Sequence, residues 1–219
     1  MNETYLGNAQ VKKDGVQQGW TKKDIQEYQR CMKDPVYFAE TYGKVINLDK
    51  GLVSFKLYPY QKEMFNHFND NRFSIILACR QSGKSISSCM YILWYALFHP
   101  DQTIAVLANK GATAREMLAR ITLALENTPF FLQPGTKALN KGSIEFSNNS
   151  KIIAAATSGS SIRGLSVNLL FLDEFAFVDD AATFYTSTYP VISSGKTSRV
   201  IITSTANGIG NTSHKIYEG

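Results

Sequence analysis

An α/β fold, with a largely parallel sheet covered by helices on both faces, is what this 219-residue sequence predicts. Two observations carry the prediction. From about residue 58 onward, short apolar strands alternate with helix-patterned segments, the order that builds parallel sheets. Two of those strands, Phe73–Ala78 and Asn168–Leu172, run directly into chemically distinctive turns: Ser82-Gly83-Lys84-Ser85 after the first and Asp173-Glu174 after the second. The C-terminal ends of strands are where α/β sheets meet their ligands.

Taken in order, residues 1 to about 20 are polar and patternless and are expected as a mobile arm. Thr21-Lys22-Lys23-Asp24 has the composition of a helix start, and the pattern runs to about Met32. Asp34-Pro35 opens a short helix carrying Val36, Phe38 and Tyr42. Val45 to Leu57 alternates loosely around Lys50-Gly51, as a hairpin does. Tyr58-Pro59-Tyr60-Gln61 then begins a helix reaching Phe68, with proline at an early helical position. Beyond it come strand Phe73–Ala78, helix Lys84–Phe98, strand Thr103–Ala108 and helix Ala112–Leu125. A hairpin of Ser143–Phe146 and Lys151–Ala156 follows, turning at Asn148-Asn149. Strand Asn168–Leu172, helix Ala181–Tyr189 and strand Arg199–Thr203 complete the series. This organisation divides into residues 1–57, an arm with a small helical and hairpin segment, and residues 58–219, the α/β core.

Composition narrows the class. Hydrophobic residues make up 44% and charged residues 19%, which fits a packed core. The formal charge of +5 permits contact with nucleic acid without arguing for it. Cys31, Cys79 and Cys89 show no metal-site or disulfide spacing, and His67, His99 and His214 stand apart from one another. The longest apolar stretch, Ile86 to Phe98, is 13 residues, which suits a buried helix and is too short to span a bilayer. With no apolar signal core at the N-terminus, a soluble, cytoplasmic protein is expected.

The run Ala78-Cys79-Arg80-Gln81-Ser82-Gly83-Lys84-Ser85 ends as a phosphate-binding loop and begins with alanine where G-x-x-x-x-G-K-[ST] has glycine. Its setting between a strand and a helix is the right one. Backbone N–H groups and the helix dipole converge there on phosphate. Lys84 supplies charge to the β- and γ-phosphates, Ser85 a hydroxyl ligand for Mg²⁺, and Gly83 a close backbone approach. Ala78 is compatible if the strand continues one residue further with negative φ.

Leu169-Leu170-Phe171-Leu172-Asp173-Glu174 is an apolar strand ending in paired carboxylates. Asp173 is placed to hold Mg²⁺ through water, and Glu174 to orient or deprotonate the water that attacks the γ-phosphate. Adjacent strand residues point oppositely, so both serve one site only if the strand ends there. Three weaker signals fall into line. The Gln61 amide matches the donor and acceptor of adenine. Thr203-Ser204-Thr205 offers hydroxyls at a strand end to sense the γ-phosphate. Arg163, on the loop Ser158-Gly159-Ser160-Ser161-Ile162-Arg163-Gly164, suits charge developing on a transferred phosphoryl group. Each alone has a commonplace reading, as a helix-start residue, a strand end or a solvated loop.

Together these features resemble the ATPase domain of the large terminase subunit of tailed bacteriophages, the T-even-like ones in particular. That family's phosphate loop typically lacks the first glycine and carries Arg-Gln before x-Gly-Lys-[Ser/Thr], as Arg80 and Gln81 stand here before Ser82, Gly83, Lys84 and Ser85. Tyr60-Gln61, Ser161-Ile162-Arg163-Gly164, Phe171 to Phe177, Tyr189 to Gly195, Thr203-Ser204-Thr205 and Asn207-Gly208 are similar to its further motifs. The likeness spans roughly residues 35 to 219. It implies a P-loop NTPase fold of the ASCE type and Mg²⁺-dependent hydrolysis of ATP. The hydrolysis would drive double-stranded DNA into a preformed capsid. It also implies a homo-oligomeric ring on the portal protein, assisted by a small terminase subunit. That ring would sit at the procapsid portal in the cytoplasm of the infected bacterium, with no membrane partner. Arg163 is then the arginine expected to act on a neighbouring subunit's site, with Arg80 as the alternative within its own subunit. Members of the family also carry a C-terminal nuclease domain. Gly219 lies only 14 residues past Thr205, so a fragment without that domain, and without nuclease activity, is expected. The alternative is a superfamily-2 helicase-like translocase, although Arg80-Gln81 and Phe175-Ala176 after the carboxylates are foreign to that group. A nucleotide-binding scaffold without turnover is opposed by the intact Lys84, Ser85, Asp173 and Glu174.

Overall fold

The structure, a computed structural model, describes residues 3–157, 166–178, 181–193 and 195–218. In chain order the strands are β1 Thr4–Tyr5, β2 Asn8–Lys12, β3 Lys44–Asn47, β4 Gly51–Ser54, β5 Phe73–Leu77, β6 Thr103–Ala108, β7 Thr136–Leu139, β8 Ser143–Phe146, β9 Lys151–Ala156, β10 Leu169–Asp173 and β11 Arg199–Ser204. The helices are α1 Lys22–Lys33, α2 Pro35–Tyr42, α3 Pro59–Asp70, α4 Lys84–Phe98, α5 Gly111–Glu126, α6 Ala181–Ser193 and α7 Thr212–Glu218, with 3-10 turns at Phe130–Leu132 and Phe175–Phe177.

The central sheet has seven strands in the order β5-β11-β10-β6-β9-β8-β7. The first five are mutually parallel; β8 is antiparallel to β9 and β7 to β8. Period-two alternation sends the strand residues to two faces. Ile104, Val106, Leu169, Phe171 and Ile201 join a core with α1 to α5. Ala105, Leu107, Leu170, Leu172, Val200 and Ile202 join a second core with Phe175 and Phe184. The sheet is therefore covered on both sides, and β11 lies between the phosphate-loop strand β5 and the Asp-Glu strand β10.

Helix α4 runs through the first core with 13 of its 15 residues buried, which explains its uniform apolarity. No helix among the described residues is long and apolar enough to cross a membrane. Helix α1 starts at a capping box: Thr21 Oγ1 accepts the Asp24 N–H at 3.1 Å, and the Asp24 carboxylate accepts the Thr21 N–H at 3.0 Å. Glu27 ties α1 to α2 by accepting the Tyr37 and Tyr42 hydroxyls at 2.8 and 2.9 Å.

Three elements differ from the sequence reading. The segment expected as a mobile arm contains the β1–β2 ribbon, with Val11 fully buried and Lys13 bridging to Thr136. Its strands are too short, and too polar on their open side, to announce themselves by periodicity. Strand β7 pairs with β8 and makes the predicted hairpin a three-stranded meander with β9. Helix α7, polar and only seven residues long, carried no hydrophobic pattern to read.

Candidate active site

The phosphate loop forms because β5 does not stop where its last strand residue does. The Ala78 N–H donates to the Ser204 carbonyl at 3.1 Å, extending the β5–β11 ladder by one step, and Ala78 keeps negative φ. Glycine is unnecessary there. It is needed five residues later. Gly83 is in the left-handed region at φ +80°, and a Cβ built on it would stand 2.6 Å from Gln61 Nε2. Gln81 also has positive φ, at 60°. Helix α3 braces the loop from outside: Tyr60 Oη donates to the Ser82 carbonyl, and Gln61 packs over Gly83.

Strand β10 ends at Asp173, and Glu174 turns into the left-handed region at φ 49°, ψ 44°. That turn brings two sequence-adjacent carboxylates to one site. Asp173, 4% exposed, accepts the Thr203 hydroxyl at 2.7 Å and faces Ser85 Oγ at 3.2 Å. Burial pushes its carboxyl above the usual carboxylate range, with neighbouring Glu174 adding to the effect, against the hydroxyls of Thr203 and Ser85. Glu174 goes the other way. Burial alone would raise it, but the Lys84 ammonium and the two donors of Thr205 together hold it below the usual range. Lys84 Nζ lies 2.8 Å from Glu174 Oε1, and Oε2 accepts the Thr205 N–H and hydroxyl, both at 3.0 Å.

The loop and the carboxylates open onto a cleft of about 1140 Å³. Arg80, Gln81, Ser82, Gly83, Lys84, Ser85, Asp173 and Glu174 all line it. Ser82 Oγ is buried without a hydrogen-bond partner, a donor left free for an anion. Thr203, Ser204 and Thr205 stand behind this wall. Thr203 and Thr205 hold the two carboxylates, while Ser204 Oγ accepts the Ala176 N–H at 3.1 Å. Gln61, 3% exposed, is not on the wall, and its Oε1 caps α3 by accepting the Tyr58 N–H at 2.9 Å. Arg163 lies outside the described residues.

Sequence reading missed the rest of the cleft. Asn109 and Lys110 follow β6 directly, and strand-end position alone was a signal for them. Glu116 and Arg120 of α5, paired at 2.6 Å, and Lys44, Val45, Ile46 and Leu48 of the β3–β4 hairpin close the far side. Tertiary packing alone brings these to the site.

A parallel sheet with a strand inserted between a Gly-Lys-Ser loop and an Asp-Glu strand end has the architecture of a P-loop NTPase. The chain belongs to the family "Terminase large subunit, T4likevirus-type, N-terminal", whose sequence model matches residues 75–215. Solved structures agree on the fold. The HK97 bacteriophage large terminase superposes with a TM-score of 0.65 at 18% identity, over 79% of this chain and 37% of that one. The Thermus phage P74-26 large terminase ATPase domain gives 0.57 at 18% identity, over 71% and 67%. The large terminase of a thermophilic bacteriophage, in complex with ADP, gives 0.54 at 15% identity, over 68% and 39%. The chain thus spans little more than a third of the first of these proteins.

Proposed function

We propose that this chain hydrolyses ATP, with Mg²⁺, to drive packaging of double-stranded DNA into a capsid. The observation that supports it best is Glu174 held at once by Lys84 and Thr205. A γ-phosphate entering the loop competes with Glu174 for the Lys84 ammonium. Thr205 keeps its two donors on the carboxylate, so the side chain remains ionised and in place. It then accepts a proton from the attacking water as the bond between the γ-phosphorus and the ADP oxygen breaks. Thr205 also begins the segment leading to α7, which gives phosphate release a route away from the site.

The residues present fit a magnesium ion. Ser85 Oγ and the Asp173 carboxylate form a small hard-oxygen set beside the phosphate loop, and among the described residues no cation forms an ion pair with Asp173, although the charge of Lys84 acts on it from nearby. Bound there with the nucleotide, the ion supplies charge neutralisation on the phosphate oxygens. Arg80, exposed on the loop, is positioned for a role within its own subunit; we assign Arg163 to the neighbour's site. In this reading residues 58–219 are the ATPase core and residues 1–57 an appended layer. The working assembly is a ring on the portal protein with a small terminase subunit, in the host cytoplasm.

The test uses the complete reading frame assembled on portal-bearing empty capsids with linear duplex DNA. ATP-dependent protection of that DNA from nuclease is expected, and Lys84→Ala or Glu174→Gln should each abolish it. Mixing Arg163→Ala subunits with Glu174→Gln subunits should restore ATPase activity if the arginine acts in trans. Protection that survives either single active-site variant, or ATP-driven strand separation in its place, overturns the proposal.

A further inference from the structure

On the N-terminal layer, a second groove of about 750 Å³ lies between α1, the end of α4 and the 3-10 turn at Phe130–Leu132. Helix α4 begins at the phosphate loop and ends here. Its 15 residues put the groove roughly 20 Å from the nucleotide cleft. The rim is apolar and open: Trp20, Ile25 and Met32 are 45%, 44% and 37% exposed. Behind them Tyr28 packs edge-on against Trp20 at 5.4 Å and against Phe98 at 5.1 Å. Ile25, Gln29 and Met32 follow helical spacing along one side of α1.

Lys12 also lines this groove. Its side chain belongs to a residue only 6% exposed, and its ammonium has one protein hydrogen bond, to the Gln133 carbonyl at 3.2 Å. Among the described residues no carboxylate oxygen comes within 4.0 Å of it, and the charge of Glu3 acts on it only from further off. The backbone around it is fixed, because Gln133 accepts the Lys12 N–H and donates to the carbonyls of Gln10, Leu125 and Thr128. A buried ammonium with donors to spare, in an aromatic and aliphatic groove, complements an anion on an apolar body.

We propose that this groove docks a segment of a partner protein that presents apolar side chains around a carboxylate, with Lys12 as the counter-ion. The open strip along α1 favours a peptide over a compact metabolite, since its apolar positions extend over two helical turns.

The 219-residue chain, kept in excess ADP to occupy the nucleotide cleft, is titrated with anilinonaphthalene sulfonate and with phenylnaphthylamine, the same ring system without the charge. Trp20 emission reports the groove, and Trp20→Phe assigns it. The sulfonate should bind more tightly than the neutral dye. Lys12→Met should weaken the sulfonate about ten-fold, the scale of one charge-assisted hydrogen bond, and leave the neutral dye unchanged. Ile25→Glu, at an exposed position, gives a second variant that repels the anion without disturbing the buried lysine. A designed amphipathic helical peptide with one glutamate among its leucines should displace the dye, and its glutamine twin should do so far less well. Equal affinity for both dyes, or no effect of Lys12→Met, overturns the charge assignment. Displacement by decanoate but not by the glutamate peptide overturns the protein partner.

Discussion

Asp173 is where folding and chemistry pull hardest against each other. Its carboxyl is buried and held above the usual range, so between the unfolded value and the raised folded value the native chain binds more protons than the unfolded one. Stability contributed by this group therefore falls as pH rises through that window and stays reduced above it. Asp173→Asn removes the buried charge, and its amide oxygen can still accept the Thr203 hydroxyl. In nucleotide-free protein at neutral pH it should raise the melting temperature, by roughly 2–4 °C per kcal/mol gained, while hydrolysis is lost. Below the carboxylate range the difference should vanish; thermal scans at both pH values decide it. Glu174 has the opposite sign, because its folded value is depressed. Its contribution is present above the unfolded carboxylate value and is lost as pH falls through the folded one. Two neighbours in sequence thus have their carboxyls shifted in opposite directions by their surroundings. Gln61 shows a different lesson. The sequence suggested a base-reading amide, but its Oε1 caps α3 and its Nε2 rests against the phosphate loop. Gln61→Ala should weaken ATP and GTP alike and cost about 1 kcal/mol of stability, on the scale of a lost helix cap. Nucleotide titrations showing loss for ATP alone would restore the base-reading role.

At the scale of elements, the phosphate loop is the most constrained piece. Gly83→Ala forces a Cβ into an αL residue and against Gln61 Nε2, so α3 must move or the loop must open. The expected result is loss of nucleotide binding, read by titration, with destabilisation on the order of 1–3 kcal/mol. Much of this region was legible in advance. The α4 boundaries follow from its apolar run, and the tolerance of Ala78 follows from a strand that continues, as its hydrogen bond to Ser204 shows. The site that both Asp173 and Glu174 face required the strand to end between them, and it does. Elements that bury a single apolar residue left no such trace. In β2 only Val11 and Lys12 are buried, and β7 is recognisable only through its pairing with β8. The cleft walls from α5 and the β3–β4 hairpin were equally hidden, since their residues read as ordinary helix surface and hairpin tip.

For the whole molecule, the order of strands in the sheet is the feature furthest from the sequence. Strand β11, last in the chain, lies between β5 and β10 and so connects the phosphate loop to the Asp-Glu strand end. Because of that position, Thr203 reaches the Asp173 carboxylate and Thr205 that of Glu174. The N-terminal layer shares a continuous core with α4, since Val11, Cys31 and Phe38 pack in the same cluster as Leu93 and Trp94. Deleting residues 1–13 should accordingly lower the melting temperature of the entire chain in a single transition, without a separate early step. A biphasic melt would show that the layer folds on its own.

In the proposed hydrolysis Glu174, released from Lys84 by the nucleotide, positions the attacking water. Single-turnover phosphate release from Mg-ATP, with protein in excess, tests it most directly when the parent chain and Glu174→Gln are compared at matched nucleotide occupancy. Glu174→Gln should bind ATP about as tightly as the parent and release phosphate roughly 10²–10⁴ times more slowly. Phosphate release from Glu174→Gln at the parent rate would contradict it.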